Sequence, residues 1–206
     1  MTGTLTASDP DGTQGFIEVQ GGVGIVGSKG FGHAHIDSNG HWTFNLYNNH
    51  AIVQQLQQGQ TETETITVQA KDGTTHDITI TITGTNDVPT VSEHIPGSHS
   101  VNEDTKSNVR GQLDISDIDG DAVSVTVDPS HNAQFGRVQF DSHTNTWTYH
   151  LNNTNPKVDT LNDGDTLQDT FTLLVNDGHG GQTSQQITMT INGHTDQYLT
   201  LHQLFA

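Results

Sequence analysis

The sequence pattern of this 206-residue chain occurs twice, in the same order. The block GTLTASDPDG, which begins at Gly3, corresponds to GQLDISDIDG, which begins at Gly111. Three further pairs follow: HWTFNLYNN with TWTYHLNN, LQQGQTETETITVQAKDG with LNDGDTLQDTFTLLVNDG, and ITITITGTND with ITMTINGHTD. The two members of each pair are about 105 residues apart in the sequence, which is the size of one domain, so the sequence predicts a tandem duplication.

Apolar and polar residues alternate within each copy, which is typical of strands with one buried and one exposed face. Many such short runs, separated by Gly, Asn and Asp turns, predict an all-β fold of two β-sandwich domains. The stretch at 48–59 differs, because Ile52, Val53 and Leu56 have nearly helical spacing, and it predicts a short helical turn. The alternating apolar residues are Trp42, Phe44, Leu46, Ile66, Val68, Ala70, Ile78, Ile80 and Ile82 in the first copy, and Trp147, Tyr149, Leu151, Ile187, Met189 and Ile191 in the second.

The boundary between the copies is predicted in TNDVPTV, at 85–91. Asn86 and Asp87 suit a turn, and Pro89 ends the preceding strand ladder. We therefore expect a first domain at 1–87, a second at 88–196 and a tail at 197–206 that matches nothing in the repeat. A leader precedes the second copy only, so the first copy is expected to lack its first strand.

The charge balance limits the classes of partner. The chain has 24 acidic and 6 basic side chains, for a net charge of −18. This balance disfavours nucleic acid and anionic membrane surfaces, which are bound by Lys and Arg, and it favours cations. No segment is apolar enough to span a bilayer. The absence of Cys excludes disulfides and weakens any zinc-thiolate site, so bound metal is the expected additional source of stability.

Acidic turns recur with the duplication and form the candidate metal site. Calcium takes six to eight oxygen ligands, and alternate carboxylates on a Gly-containing turn can converge on one ion. The alternative is a set of solvated turns, because Asp–Gly is a common turn pair. We expect the acidic residues of the second copy to lie close to Asn86 and Asp87, at the joint between the two domains. The candidates are Asp9, Asp11 and Asp72 in the first copy, Asn86 and Asp87 at the junction, and Asp117, Asp119, Asp121 and Asp177 in the second copy.

Other chemistries have weaker support. His33 and His35 form a His-x-His pair that would suit zinc, but these residues have no counterparts in the other copy, and a solvated strand face is the better interpretation. Glu62 and Glu64 resemble a glycosidase carboxylate pair, yet we expect them on a polar strand face with no cleft. No nucleophile has a paired base in either copy, so we do not expect an enzyme.

The repeated blocks resemble the VCBS repeat family, a cadherin-like domain found in tandem in large bacterial surface proteins, including RTX-type adhesins. The resemblance is carried by GTLTASDPDG, NNHAIVQQLQQGQTETETITVQAKDG, ITITGTNDVP and their second copies. It implies two tandem Ig-like or cadherin-like β-sandwiches outside the cell. It also implies Ca²⁺ at domain joints, with Asp117 and Asp119, Asp177, and the pair Asn86–Asp87 in the positions of the family's ligands.

The leader segment VNEDT, at 101–105, looks like the start of such a repeat. Glu103 takes the place of an early glutamate that serves the opposite end of the domain, so it is expected near Asp196. The second linker reads NGHTD where the first reads TGTND, so Asn86 has no aligned Asn. The C-terminal joint is therefore expected to be weak or free of metal.

These observations predict a calcium-stiffened extension module of a secreted or surface-anchored bacterial adhesin, with neighbouring repeats as its partners. The alternative is a module that binds a glycan or a host protein, or an accessory module of a secreted enzyme. A glycan binder presents exposed aromatic rings. Trp42 and Trp147 align between the copies and are better explained as core, which leaves Tyr47 and Tyr198 as candidates.

Overall fold

A computed structural model describes residues 1–12, 14–94, 99–105 and 107–196. The chain divides into two compact units. Unit 1 consists of Met1–Asp87 together with Ile118–Gly120, and unit 2 consists of Val88–Asp117 and the chain from Asp121 onward. Strands dominate both units, as the alternation predicts. A membrane-crossing helix is not found in the described part of the chain.

Six strands and one helical turn are formed by the residues of unit 1 that the structure describes. Strands β1, β4, β3 and β2 form a four-stranded antiparallel sheet in that order, and β5 pairs with β6 in a two-stranded antiparallel sheet. The predicted helical turn is confirmed as α1, and the ring of His50 accepts a hydrogen bond from the Ile52 N–H at its start. The elements are β1 (Thr2–Thr4), β2 (Ile25–Val26), β3 (Gly32–Ile36), β4 (His41–Leu46), α1 (Ala51–Gln54), β5 (Thr61–Gln69) and β6 (Thr75–Thr83).

The described residues of unit 2 form eight strands in two four-stranded sheets. One sheet has the order β10-β13-β14-β8, and the other has the order β11-β12-β9-β7. All pairings are antiparallel except that of β8 with β14, which is parallel. The strands are β7 (Thr90–Glu93), β8 (Ser100–Asn102), β9 (Asn108–Ser116), β10 (Ser124–Val127), β11 (Gly136–Asp141), β12 (Thr146–Leu151), β13 (Thr166–Asn176) and β14 (Gln182–Asn192).

Each unit has its own hydrophobic core, which contains or packs against the predicted alternating residues except Leu46. Leu46 was expected on the buried face, but it lies at the end of β4 and is 37% exposed. Trp147 is fully buried, and Trp42 packs against the core of unit 1. In both units the indole covers a glycine of the neighbouring strand, Gly111 or Gly3, and a Cβ at either glycine would overlap the ring. Trp147 is therefore a core residue and Trp42 a partly buried residue at the edge of the core, and the duplication preserves the glycine that each one covers.

A buried carboxylate holds the same loop in both units. Glu64 is fully buried on β5, and it accepts hydrogen bonds from the N–H groups of Lys29 and Phe31 at 2.8 and 2.7 Å. The prediction that Glu64 lies on a polar strand face is therefore wrong, because the side chain points inward to satisfy the N–H groups of this loop. Glu62, two residues earlier, is instead paired with Lys29 at 2.6 Å.

Asp169 is the counterpart of Glu64 in unit 2 and is 2% exposed. It accepts hydrogen bonds from the N–H groups of Gln134 and Phe135 and from the Tyr149 hydroxyl, each at 2.8 Å. Burial, followed by the hydrogen bond to Asp169, raises the pKa of Tyr149 far above its usual value. The buried acid is thus a structural feature of the repeat, since it satisfies loop donors that have no strand partner.

Candidate metal centre

Three aspartates converge in the loop that follows β9. Asp117, Asp119 and Asp121 each present a carboxylate oxygen, and these oxygens lie within 4.8 Å of one another. Gly120 has a φ of 75°, a left-handed conformation that lets the loop turn between the second and third carboxylate. Within the described ranges this is the one group of three or more potential metal ligands. Like charges so close repel by about 1 kcal/mol per pair even in water, so the arrangement favours a cation.

The three aspartates are also shielded from solvent, which increases the repulsion between their charges. Asp119 is 6% exposed, and Asp117 and Asp121 are partly buried. The Asp121 N–H donates to Asp117 Oδ1 at 3.3 Å, and the Asp87 N–H donates to Asp119 Oδ2 at 2.7 Å. Buried carboxylates require compensating positive charge or hydrogen bonds. The loop therefore holds its acids in one orientation, and a divalent cation would complete their neutralisation.

Asp177 belongs to the turn that follows β13 and is 2% exposed. Its Oδ1 accepts hydrogen bonds from the N–H groups of His179 and Gly181, at 2.7 and 3.0 Å. The His179 ring in turn lies 2.9 Å from Asp121 Oδ2. The turn is thus connected to the three-aspartate loop through His179, while Asp177 itself is outside the group of three.

His179 was not among the site residues predicted from the sequence. Its position in NDGHGG corresponds to Thr74 in the first copy, so the duplication gave no reason to single it out. The signal that could have identified His179 is that the two copies differ directly after an Asp–Gly turn that they share. This difference is informative because an imidazole can bind a carboxylate that the shorter Thr side chain does not reach.

The acids of the first copy are arranged differently. Asp9 Oδ1 accepts a hydrogen bond from the Asp11 N–H at 3.0 Å, as in an ordinary Asx turn. Asp72 Oδ1 accepts from the N–H and the hydroxyl of Thr74, and these hydrogen bonds lower the pKa of Asp72. Asp9 and Asp72 line one open cavity of about 350 Å³. They are not part of a three-ligand group in the described residues.

Glu103 follows β8, outside the three-aspartate group, and it is 1% exposed. It accepts a long hydrogen bond of 3.3 Å from the His194 N–H. Burial raises its pKa, and the nearby negative charges of Asp104, Asp196 and Asp159 raise it further. Glu103 is thus close enough to Asp196 to interact with it, which is the neighbourhood that the resemblance implies.

His33 and His35 alternate along β3 with the buried residues Gly32, Ala34 and Ile36, as expected for the outer face, but they are less solvated than predicted. Both side chains are partly buried, and their rings pack edge to face with centroids 5.2 Å apart. Their Nδ1 atoms are buried without a hydrogen-bond partner among the described residues. The difference arises because a ring can cover its neighbour along the strand. Tyr47, a candidate exposed aromatic residue, packs on His33 at 5.3 Å, and Tyr198 lies outside the described residues.

Comparison with known proteins identifies the family. The family model described as "Bacterial cadherin-like domain" matches residues 86–193, which is more than half of the chain. No curated protein matches the chain.

Among solved structures, the protocadherin gammaB7 EC3-6 cis-dimer matches with 16% identity and a TM-score of 0.49, over 89% of this chain and 41% of that one. The protocadherin gammaB4 extracellular domain matches with 15% identity and a TM-score of 0.48, over 87% and 26%. The human desmocollin-1 ectodomain matches with 13% identity and a TM-score of 0.43, over 95% and 38%. This chain therefore spans well under half the length of each of these structures. On the family match, the chain belongs to the bacterial cadherin-like domain family.

Proposed function

We propose that this chain is a calcium-stiffened extension module of a secreted or surface-anchored bacterial adhesin of the VCBS and RTX type. The observation that carries the proposal is the convergence of Asp117, Asp119 and Asp121 in a cadherin-like domain. Domains of this kind typically bind Ca²⁺ and are generally not enzymes. The module would contribute length and rigidity, and it would act outside the cell, with neighbouring repeats of the same protein as its partners.

The donor set fits calcium. All three converging ligand atoms are carboxylate oxygens, which hard cations such as Ca²⁺ prefer, and the chain has no Cys thiolate to select a softer metal. Asp117, Asp119 and Asp121 would hold the ion. Asn86, Asp87 and Asp177 are further candidate ligands, because hydrogen bonds connect the main chain of Asp87 and the turn of Asp177 to this loop.

The bound ion would supply positive charge and a fixed coordination shell. We propose that it restrains the short segment from Asn86 to Pro89, which leads from the first repeat into the second. The main-chain hydrogen bond from Asp87 to Asp119 supports this, since neutralising Asp119 also affects a residue within the segment. Extracellular calcium modules bind with dissociation constants of about 10⁻⁴ to 10⁻³ M, which suits a protein in millimolar calcium.

Calorimetric titration of the chain with Ca²⁺ tests the proposal, with Mg²⁺ as the control cation. We expect saturable calcium binding, and small-angle scattering should show a more extended and less flexible particle with calcium than with EDTA. Mg²⁺ should bind more weakly, because it gives up its water reluctantly. Absence of calcium binding at millimolar concentration, or identical scattering in calcium and EDTA, would overturn the proposal.

A further inference from the structure

Strand β8 completes the core of unit 2. It runs parallel to β14, with Val101 opposite Ile191. Val101 is fully buried within the hydrophobic core. The Asn192 side chain fixes the register, because its Nδ2 donates to Ser100 Oγ at 2.8 Å and lies 2.9 Å from Asn102 Oδ1. A strand of three residues thus closes one edge of the sheet with a single apolar side chain.

Strand β6 is the counterpart of β14 in unit 1, as the paired blocks ITITITGTND and ITMTINGHTD show. One edge of β6 pairs with β5, and within the described residues no strand pairs with its other edge. In unit 2 the corresponding edge of β14 carries β8. The two units therefore differ in one structural position, and unit 2 shows what occupies it.

A groove lies where the β8 counterpart would pack. It has a volume of about 270 Å³ and is lined by Met1, Phe44, Leu46, Ile80, Thr81, Ile82 and Thr83. Four of these residues correspond to Tyr149, Leu151, Met189 and Ile191, all buried in the core that contains Val101. Leu46 is 37% exposed, whereas its counterpart Leu151 is 8% exposed. Leu46 therefore contributes an exposed apolar surface to this groove.

We propose that this groove binds an extended peptide strand of the β8 type, parallel to β6, with one β-branched apolar residue flanked by small polar residues. The apolar side chain would fill the groove beside Leu46 and Ile82, in the way that Val101 lies opposite Ile191 within the core of unit 2. The main chain of the peptide would pair with the outer edge of β6, as in recognition by strand addition. The internal repeat defines the chemistry of the occupant, because the same chain already carries the completed form.

The register anchor differs between the units. Asn192 corresponds to Thr83 in the aligned blocks, and Thr lacks the amide that donates to β8 in unit 2. A free peptide is therefore expected to bind weakly, and covalent attachment should compensate by raising the effective concentration. Met1 pairs with Phe44 as Val109 pairs with Tyr149. A strand attached directly ahead of Met1 thus has the spacing that joins β8 to β9.

The first experiment titrates the ¹⁵N-labelled full chain with a peptide of residues 99–105, HSVNEDT. We expect saturable chemical-shift changes that centre on Leu46 and on Ile80 to Thr83. A peptide with Val101→Asp should produce no such changes. Equal shifts with both peptides would overturn the proposal, because the groove would then not select the apolar side chain.

The second experiment attaches residues 99–108, HSVNEDTKSN, directly ahead of Met1 of the full chain. We expect the melting temperature of unit 1 to rise by several degrees, about what one ordinary stabilising contact provides. The matched extension with Asp in place of Val101 should leave it unchanged. Equal melting temperatures for the two extensions would overturn the proposal. Self-association of the unmodified chain through β6 would also overturn it, because a second copy of the chain would then occupy the groove.

Discussion

Glu64 and Asp169 occupy corresponding positions in the two units. Each is a buried carboxylate that accepts hydrogen bonds from the main chain of the equivalent loop in its own unit. The Phe31 N–H donates to Glu64, and the N–H of its counterpart Phe135 donates to Asp169. The duplication has therefore kept an acid at a core position, where an apolar side chain would leave these donors unsatisfied. This relationship yields the most direct tests of the fold.

Replacing Glu64 with Gln should destabilise unit 1 by about 2–3 kcal/mol, because charge-assisted hydrogen bonds are lost and the amide NH₂ faces main-chain donors. Chemical denaturation of the purified variant measures this change. Glu62→Gln is the matched control, and it should cost less than about 1 kcal/mol because the Glu62–Lys29 pair is partly exposed. Equal losses in the two variants would contradict the assigned role of Glu64.

Acid should remove the contribution of Glu64. Burial opposes its ionisation, but hydrogen bonds from Lys29, Phe31, Thr65 and Ser28 outweigh burial, and the pKa of Glu64 is lowered. A carboxylate with a lowered folded-state pKa stabilises the fold above its unfolded-state pKa, and this stability is lost as the pH falls through the folded-state value. Between about pH 5 and pH 3, the unmodified chain should thus lose more stability than Glu64→Gln. Parallel denaturation profiles would show that Glu64 does not titrate with folding.

Tyr149→Phe should destabilise unit 2 by about 1–3 kcal/mol, since it removes one of the three donors to buried Asp169. The corresponding residue in unit 1 is Phe44, so the ring itself is compatible with the repeat. Tyr47→Phe is the control, because Tyr47 is 37% exposed and should change stability by less than about 0.5 kcal/mol. Thermal melting of both variants gives the comparison, and an unchanged Tyr149→Phe would mean that the hydroxyl contributes little.

Gly111→Ala should cost about 1–3 kcal/mol through overpacking, because the new methyl group overlaps the Trp147 ring. The same change at Gly3 should act on unit 1 through Trp42. Gln112→Ala, at an exposed neighbouring position, serves as the control and should stay within about 0.5 kcal/mol. If Gly111→Ala melts like the control, the indole does not pack against the main chain as described.

Calcium should stabilise the chain, and Asp119→Asn should weaken this effect. A ligand at 100 times its dissociation constant adds about 2.7 kcal/mol to the free energy of unfolding. Loss of one buried ligand charge should reduce calcium affinity by about tenfold or more. Asp11→Asn is the matched control, because Asp11 is exposed and lies outside the three-aspartate group. Melting curves with calcium and with EDTA measure this effect. If calcium raised the melting temperature of Asp119→Asn as much as that of the unmodified chain, the result would argue against the site.

The sequence by itself determined the all-β fold, a short helical turn within 48–59 and the buried faces of the main strands. These features follow from local rules, since a period of two identifies the inward side chains at the alternating apolar positions, with Leu46 as an exception. Duplication added independent support, because Trp42 and Trp147 aligned and both pack in a core. The acidic loop at 117–121 was also visible as a set of alternate carboxylates around a glycine.

Only the tertiary structure decided which polar residues are buried and which acids converge. Glu64 sits at a strand position that the pattern treats as polar, and its burial depends on a loop more than thirty residues away in the sequence. His179 approaches Asp121 across a separation of 58 residues. Asp9 and Asp11 share the motif of Asp117 and Asp119, yet the three-ligand group forms at the second motif, where a third acid follows the glycine. Alternation specifies a face, but long-range contacts specify the partner, because hydrogen bonds and charges act over a few ångströms in space and not along the chain.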